Sequence, residues 1–300
     1  MRIEQYAEQV PAALALLQGF PVGCGDTGQG IPLVLLHCSG SDRQHWSRCL
    51  GAWSAAGLPP RRFLMPELFG CGGTAPWPFD GHPSLQDYAA LVGHALAHVD
   101  EPIDLVGHSF GGAVALQIAR DRPETIASLT LIEPAAFFIL RDQGERESRL
   151  LAEFEALGAV IRDAAAERDR TARRHAMRCF VEYWNGAGRW DAFTPALQDA
   201  MTDMLGVVAH DIAAALTEDS RLRDYAGLPM PVLLIGGQHS PAPVRHMNAM
   251  LAAALPVARA TAIAGAGHMT PITHAPLLSH LIADHVDVSA RRHRGSEMEL

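Results

Sequence analysis

Short apolar runs recur along the chain, and stretches with helical periodicity separate them. The apolar runs lie at 31–37, 62–67, 103–106, 128–134, 231–237 and 258–264. Continuous apolar runs of this kind are typical of parallel strands, which helices cover on both faces. Helical spacing of the apolar positions is found at 5–17, 44–55, 85–99, 113–120, 243–255 and 274–286. The alternation predicts an α/β fold with a doubly wound, mainly parallel sheet, and the glycine-rich stretch 23–30 is expected to hold an early edge strand.

The segment 135–228 interrupts this alternation, because it contains no strand-like run before the apolar strand at 231–237. Its stretches 145–174 and 197–216 are charged, rich in alanine and helical in spacing, and the aromatic stretch 180–186 is expected to separate them. We therefore predict an all-helical insertion. The predicted divisions are 1–134 and 229–290 for the two parts of the α/β core, 135–228 for the insertion, and 291–300 for a charged tail that is expected to fray.

The position of the insertion suggests what it does. Ligands of open α/β sheets bind at the carboxyl ends of the strands, and a helical block that follows the strand carrying Glu133 would lie over that edge. We interpret it as a lid over an apolar pocket. Among its aromatic residues, Phe137 and Trp184 are candidates for lining that pocket, and most of the others are expected to form the core of the lid.

Composition and charge narrow the class of function. A chain of 300 residues with 48% hydrophobic content can bury a large core, and its formal charge of −9 argues against a nucleic-acid partner. All 24 basic residues are arginine. The absence of lysine excludes Schiff-base chemistry, pyridoxal phosphate attachment and P-loop phosphate binding, which all need a lysine amine. We expect a small-molecule substrate and no cofactor, and the oligomeric state cannot be predicted.

The five cysteines are scattered and show no Cys-x-x-Cys spacing, which argues against a disulfide framework or a metal site. Reduced thiols are the expectation, and with them a cytoplasmic protein. The apolar run at 10–17 has no basic cluster before it, so a signal peptide is not expected. No run approaches the roughly 20 apolar residues that a membrane-spanning helix needs, so a membrane partner is not expected either.

A candidate nucleophile lies at the centre of the sequence. The apolar run 103–106 leads into Gly107-His108-Ser109-Phe110-Gly111, and a helical pattern follows at once. This strand–turn–helix context is that of a nucleophile elbow, in which a sharp, strained turn leaves no room for side chains at the two glycines and exposes the serine. The alternative is a tight glycine-rich turn with an incidental serine at 109.

A serine hydroxyl is a poor nucleophile near neutral pH, so the elbow predicts a histidine base and an acid that orients it. His268 is the candidate base, because it follows the last strand in a Gly-x-Gly-His loop, where the order serine, acid, histidine requires it. His108 is expected to point away from Ser109. The histidines of the last helix, at positions 274, 280 and 285, are expected to be solvated.

These segments resemble the α/β-hydrolase fold enzymes over nearly the whole chain. The resemblance is carried by the loop 37–41, the Gly-His-Ser-Phe-Gly-Gly elbow, the Ile-Glu-Pro segment at 132–134, the predicted lid and the Gly-Ala-Gly-His loop. It implies that the backbone N–H groups of Ser39 and Phe110 form the oxyanion hole. One departure concerns Cys38, which replaces a glycine of the usual His-Gly-x-Gly loop and becomes a candidate for the substrate pocket.

A second departure concerns the acid. Many family members carry it in a Gly-x-x-Asp turn after the seventh strand, but the turn 236–241 of this chain has no carboxylate. Some members carry it after the sixth strand, and Glu133 lies there. We therefore predict Glu133 as the acid. The alternative is that Glu133 is a hinge residue that caps the next helix.

The sequence thus favours a serine hydrolase in which Ser109, His268 and Glu133 cleave an ester, thioester or lactone with an apolar part, through an acyl-enzyme. Hydrolysis of a carbon–carbon bond and acyl transfer use the same three residues and stay open. A serine at 109 excludes dehalogenation and epoxide opening, which need a carboxylate nucleophile. A non-catalytic small-molecule binding protein on a hydrolase scaffold is the alternative from another class.

Overall fold

A computed structural model describes residues 19–297 and shows a seven-stranded sheet. The strands are β1 Cys24–Gly28, β2 Pro32–Leu36, β3 Arg62–Pro66, β4 Ile103–His108, β5 Ile126–Ile132, β6 Val232–Gly237 and β7 Ala258–Ile263. Their order is β1-β3-β2-β4-β5-β6-β7, and only the edge strand β1 is antiparallel to its neighbour. The predicted doubly wound, mainly parallel sheet is therefore confirmed, and β1 is the edge strand expected within 23–30.

Helices connect and cover the strands. They are α1 Ser47–Ala55, α2 Leu85–Ala95, α3 Phe110–Asp121, α4 Glu145–Ala166, α5 Arg170–Asn185, α6 Pro195–Asp203, α7 Leu205–Thr217, α8 Ala242–Ala254, α9 Thr270–Thr273 and α10 Ala275–Glu297. The helix expected at 5–17 lies outside the described residues. Helix α10 continues to Glu297, whereas the sequence predicted an end at 286 and a frayed tail from 291.

Alternation along the strands places apolar side chains on both faces of the sheet. In β2, Leu33 and Leu35 pack into the apolar cluster on one face, and Val34 and Leu36 pack into the cluster on the other. All four side chains are buried, and burial of each contributes about 1.5–3 kcal/mol to folding. Because apolar clusters pack on both faces of the sheet, its strands are held in place. The loops at its carboxyl edge therefore begin at fixed positions.

The register of the central strands brings these loops together. Leu36 of β2 is paired with Gly107 of β4, and His108 of β4 is paired with Ile132 of β5. Ile132 is paired in turn with Ile235 of β6. Because all these pairs are parallel, the loops after β2, β4, β5 and β6 leave the sheet at one edge.

Residues 135–228 contain no strand and form four α-helices, α4 to α7, with short 3₁₀ turns; we call them the helical segment. The boundary expected at 180–186 is wrong, because α5 continues to Asn185. The two blocks separate only after Asn185, and a further break that the sequence did not predict falls inside 145–174, where the Asp169 side chain caps α5 by accepting from the Thr171 N–H. None of the helices within residues 19–297 is long and apolar enough to cross a bilayer.

Candidate active site

The turn between β4 and α3 holds Ser109 in a conformation that non-glycine residues rarely adopt, with φ 55° and ψ −117°. The residues two positions before and two positions after Ser109 must be glycine, because a Cβ at Gly107 would lie 2.4 Å from the carbonyl oxygen of Gly111. A Cβ at Gly111 would lie 2.5 Å from the carbonyl oxygen of Leu36. This crowding fixes Ser109 at the tip of the turn, where strained residues of functional sites are commonly found.

Three predicted site residues form one chain of hydrogen bonds. His268, in the loop after β7, places Nε2 3.0 Å from Ser109 Oγ. Its Nδ1 lies 2.6 Å from Oε2 of Glu133. A carboxylate only accepts, so Nδ1 carries the proton and Nε2 is free to accept from the serine hydroxyl. The arrangement allows His268 to remove a proton from Ser109.

Glu133 follows β5, is fully buried and has a left-handed backbone with φ 48°. Its Oε1 accepts the Gly237 N–H at 2.5 Å and the hydroxyl of Ser240. Burial alone would raise the pKa of Glu133, but the hydrogen bonds from His268, Ser240 and Gly237 outweigh it and lower the pKa. The carboxylate is therefore ionised at neutral pH, and its hydrogen bonds go to β6 and His268 rather than to the helix that follows.

The turn after β6 supports this acid instead of supplying one. Ser240 lies where the Gly-x-x-Asp turn sought in the sequence would carry its aspartate, and its hydroxyl donates to Glu133. A Cβ at Gly237 would lie 2.6 Å from Ser240 Oγ, so glycine there lets the serine approach. A serine in the turn after β6 thus holds the carboxylate that follows the neighbouring strand β5.

Ser39 and Phe110, the predicted oxyanion residues, lie on the same cavity as Ser109. Among the hydrogen bonds of residues 19–297, none uses the backbone N–H of Ser39 or of Phe110. Phe110 is the first residue of α3, where the N–H groups have no partner within the helix and the helix dipole favours negative charge. Both N–H groups are thus available to an oxygen of a bound molecule.

The cavity over Ser109 is mostly apolar. Its lining comes from the loops after β2, β4 and β5 and from the helical segment: Ser39, Ser109, Phe110, Ala135, Phe154, Phe180, Trp184, Asp211, Ile212 and Ala215. Trp184 was predicted to line it. Phe137 and Cys38 were also predicted, but the structure does not place them on the cavity. Phe137 is fully buried beneath the lining residue Phe154, with ring centroids 3.6 Å apart.

Cys38 instead belongs to a buried row of polar side chains behind the serine. His108 Nε2 lies 2.9 Å from the carbonyl oxygen of His268, and His108 Nδ1 lies 3.0 Å from His45 Nε2. The thiol of Cys38 lies 3.7 Å from His45 Nδ1. A carbonyl only accepts, so His108 donates from Nε2, His45 donates to His108, and the thiol donates to His45.

The row is neutral. Burial lowers the pKa of His45 to about 3 and that of His108 well below its ordinary value, and burial raises the pKa of Cys38 to about 12. The side-chain atoms of these three residues that could bind a metal ion lie within 4.8 Å of one another. Each side chain already has a hydrogen-bond partner, so the row is satisfied without an ion.

Sequence reasoning missed Asp211, a buried carboxyl of α7. It accepts the Ser39 hydroxyl at 2.6 Å and the Tyr88 hydroxyl at 2.5 Å. Burial raises its pKa to about 7, although hydrogen bonds from Ser39, Tyr88 and Gly40 oppose the rise.

The prediction that His285 is solvated was wrong, since this side chain is buried and lies 3.2 Å from the carbonyl oxygen of Leu129.

Comparison with known proteins relates this chain to a family of hydrolases. A family model described as "Alpha/beta hydrolase family" matches residues 33–280. The lipase LipV of Mycobacterium tuberculosis is 42% identical over 81 residues, which are 26% of this chain and 29% of that protein. The 2-hydroxymuconate semialdehyde hydrolase of Pseudomonas putida is 34% identical over 39% of this chain and 41% of that protein. The chain therefore matches less than half the length of these two relatives.

A solved structure agrees over a longer stretch. The thermophilic esterase of Thermogutta terrifontis superimposes with a TM-score of 0.65, covering 89% of this chain and 93% of that chain. The sequence identity is 23%, so this likeness shows the fold alone.

Proposed function

The chain belongs to the alpha/beta hydrolase family, and from that premise we propose that it is a serine hydrolase that cleaves an ester, thioester or lactone with an apolar part. The observation that carries the proposal is the hydrogen-bonded chain from Ser109 through His268 to Glu133, at the carboxyl edge of the sheet. Together with the free N–H groups of Ser39 and Phe110, it supplies a nucleophile, a base, an acid and oxyanion donors.

The reaction follows from these positions. Ser109 Oγ attacks the substrate carbonyl while His268 Nε2 takes its proton, and Glu133 offsets the charge of the imidazolium that forms. The N–H groups of Ser39 and Phe110 stabilise the oxyanion, each by about 3 kcal/mol. His268 then protonates the departing alcohol or thiol, which leaves an acyl group on Ser109. Water, deprotonated by His268, hydrolyses this ester, releases the carboxylic acid and restores the serine.

The lining of the cavity favours neutral, apolar substrates. Phe154, Phe180 and Trp184 offer aromatic surface to an acyl or alkyl group. None of the lining residues is basic, and the single carboxyl group, that of Asp211, would repel an acid. Hydrolysis of a carbon–carbon bond and acyl transfer remain alternatives that use the same three residues, and the lining does not favour either.

A fluorophosphonate probe and a series of p-nitrophenyl esters of increasing acyl length test the proposal. We expect the probe to label Ser109 and the esters to be hydrolysed, while Ser109→Ala abolishes both. Ser54→Ala is the matched control, because Ser54 is exposed and makes no contact with the cavity. If the wild-type protein neither reacts with the probe nor cleaves any ester, the alternative of a non-catalytic binding protein takes the place of the enzyme.

A further inference from the structure

The carboxyl group of Asp211 connects the helical segment to the loop that carries Ser39. Asp211 belongs to α7, is 2% exposed, and lies 172 positions after Ser39 in the chain. The loop is pressed directly against α7, because a Cβ added to Gly40 would lie 3.0 Å from Cγ2 of Val208. The contact is thus a packed junction between two parts of the molecule.

One carboxyl oxygen holds the oxyanion loop. Asp211 Oδ2 accepts the hydroxyl of Ser39 at 2.6 Å, and the backbone N–H of Gly40 also donates to the carboxyl group. The two residues are consecutive, and the N–H of Ser39 itself is one of the two free oxyanion donors. The carboxylate therefore holds the side chain of Ser39 and the N–H of Gly40 in place. Together these contacts fix the direction of the Ser39 N–H.

The other oxygen acts on the second oxyanion residue through an aromatic ring. Tyr88 donates its hydroxyl to Asp211 Oδ1 at 2.5 Å. The ring of Tyr88 meets the ring of Phe110 edge to face, with centroids 4.8 Å apart and planes at 80°. Asp211 thus contacts Ser39 directly and Phe110 through Tyr88, and these are the two proposed oxyanion donors.

We infer that Asp211 is a positioning residue, whose carboxylate holds both oxyanion donors in place and whose protonation loosens them and slows attack by Ser109. The inference rests on the proposed function. An ionised carboxylate is an acceptor at every lone pair and suits three donors at once. Protonation removes the negative charge and one acceptor site, and therefore weakens the charge-assisted hydrogen bonds from Ser39, Tyr88 and Gly40.

Among the titratable groups of this cluster, Asp211 is the one that changes charge near pH 7. The titratable groups that face it are Tyr88 of α2, Cys38 after β2 and Cys71 after β3. Burial raises the pKa of all three, so they are neutral near pH 7. Within the described part of the chain, no basic side chain forms an ion pair with Asp211. Burial brings its own pKa to about 7.

The test is the pH dependence of fluorophosphonate labelling of Ser109, measured as a second-order rate from about pH 5 to 8.5. The wild type should react faster once Asp211 loses its proton, because the carboxylate holds both oxyanion donors more firmly than the protonated group does. The wild-type rate divided by the Asp211→Asn rate should therefore rise with pH through about 7. This ratio should level off at about 10, because the neutral amide of the Asn variant loses part of the oxyanion stabilisation at every pH.

Tyr88→Phe gives a second reading that does not depend on the fold of the Asn variant. Its hydroxyl stabilises the carboxylate, so removing it should move the Asp211 ionisation, and with it the rise in rate, to higher pH. Asp219→Asn, the same change at an exposed site just after α7, should reproduce the wild-type profile. A ratio of wild-type to Asp211→Asn rates that does not change with pH, or equal profiles for the two proteins, would overturn the inference. A wild type that is not labelled at all would instead refute the proposed function.

Discussion

The indole of Trp184 lies nearly parallel to the imidazole of His268, with ring centroids 4.2 Å apart and planes at 20°. Trp184 comes from α5 of the helical segment, whereas His268 follows the last strand of the sheet. The proposed base is therefore covered by a side chain from outside the sheet. Because Trp184 also lines the cavity, the same ring contacts the base and the space where substrate would bind.

The contact between Trp184 and His268 predicts the effect of replacing the indole with an aliphatic side chain. Trp184→Leu should lower kcat/KM for an ester substrate by about 10-fold, because His268 loses an aromatic face worth on the order of 1 kcal/mol and gains water. Trp190→Leu is the matched control, since Trp190 is equally buried but packs away from the cavity, against Arg174. Kinetics of both variants at equal folded concentration provide the measurement. Equal losses in the two would mean that the ring acts only through stability.

Glu133 offers a sharper test of the acid. Glu133→Gln should lower kcat by roughly 10²- to 10⁴-fold with little change in KM, because a neutral amide can neither select the Nδ1–H tautomer of His268 nor offset its charge. Steady-state kinetics measure the effect. Glu124→Gln, an exposed glutamate at the amino end of β5, should leave both constants unchanged. A Glu133→Gln enzyme with wild-type kcat would remove this residue from the mechanism.

The acid can also be moved. Ser240 touches Glu133 through its hydroxyl, so a carboxylate at 240 would start from the same neighbourhood of His268. The pair Glu133→Gln with Ser240→Asp should recover part of the kcat lost in Glu133→Gln. Ser240→Ala alone should cost only a few-fold, because Glu133 keeps its hydrogen bonds to Gly237 and His268. A double variant no faster than the single one would show that position 240 cannot orient the base.

The fold and three residues of the candidate site could be predicted from the sequence because each has a local signature. Continuous apolar runs gave the parallel strands, and crowding at Gly107 and Gly111 follows from the spacing around Ser109. Glu133 could be identified by subtraction, since the turn 236–241 has no carboxylate. Parallel pairing then brings the ends of these strands together without any further information.

Residues whose role depends on tertiary contacts between distant segments were not readable. Asp211 is a lone carboxylate in an alanine-rich helix, and only the docking of α7 on the loop of Ser39 makes it part of the site. Cys38 follows β2 as predicted, but its side chain turns toward His45 and away from the cavity. Phe137 lies one layer below the lining because Phe154 covers it. Side-chain direction in a loop or helical layer is set by packing, which residue spacing does not encode.

The cysteines should differ in reactivity toward iodoacetamide in the folded protein. Cys38 is buried and its pKa is raised to about 12, so it carries almost no thiolate near pH 8 and is shielded from the reagent. Cys179 is partly exposed and should be alkylated first. Peptide mass mapping over time measures the order. Modification of Cys38 as fast as that of Cys179 would contradict the buried row that it forms with His45 and His108.

Asp211 should also leave a signature in the pH dependence of stability. Its pKa is raised to about 7 in the folded protein, while a carboxyl of the unfolded chain titrates near pH 4. Between these values the folded state holds a proton that the unfolded state has released. The free energy of unfolding must therefore fall as pH rises from about 4 to 7, by at most about 1.4 kcal/mol per pH unit, and this contribution levels off above that range.

Other groups titrate in the same range, so the difference between two variants isolates the effect. Glu133 has a lowered pKa and acts in the opposite sense, since the stability that it contributes is lost as pH falls. Urea unfolding of the wild type, Asp211→Asn and Asp219→Asn at several pH values is the measurement. The free energy of unfolding of the wild type minus that of Asp211→Asn should decline between about pH 4 and 7, because only the wild type has the carboxyl group with the raised pKa. The corresponding difference between the wild type and Asp219→Asn should not change with pH, since Asp219 is exposed. A flat difference for both variants would mean that Asp211 is ionised throughout and that burial does not govern its charge.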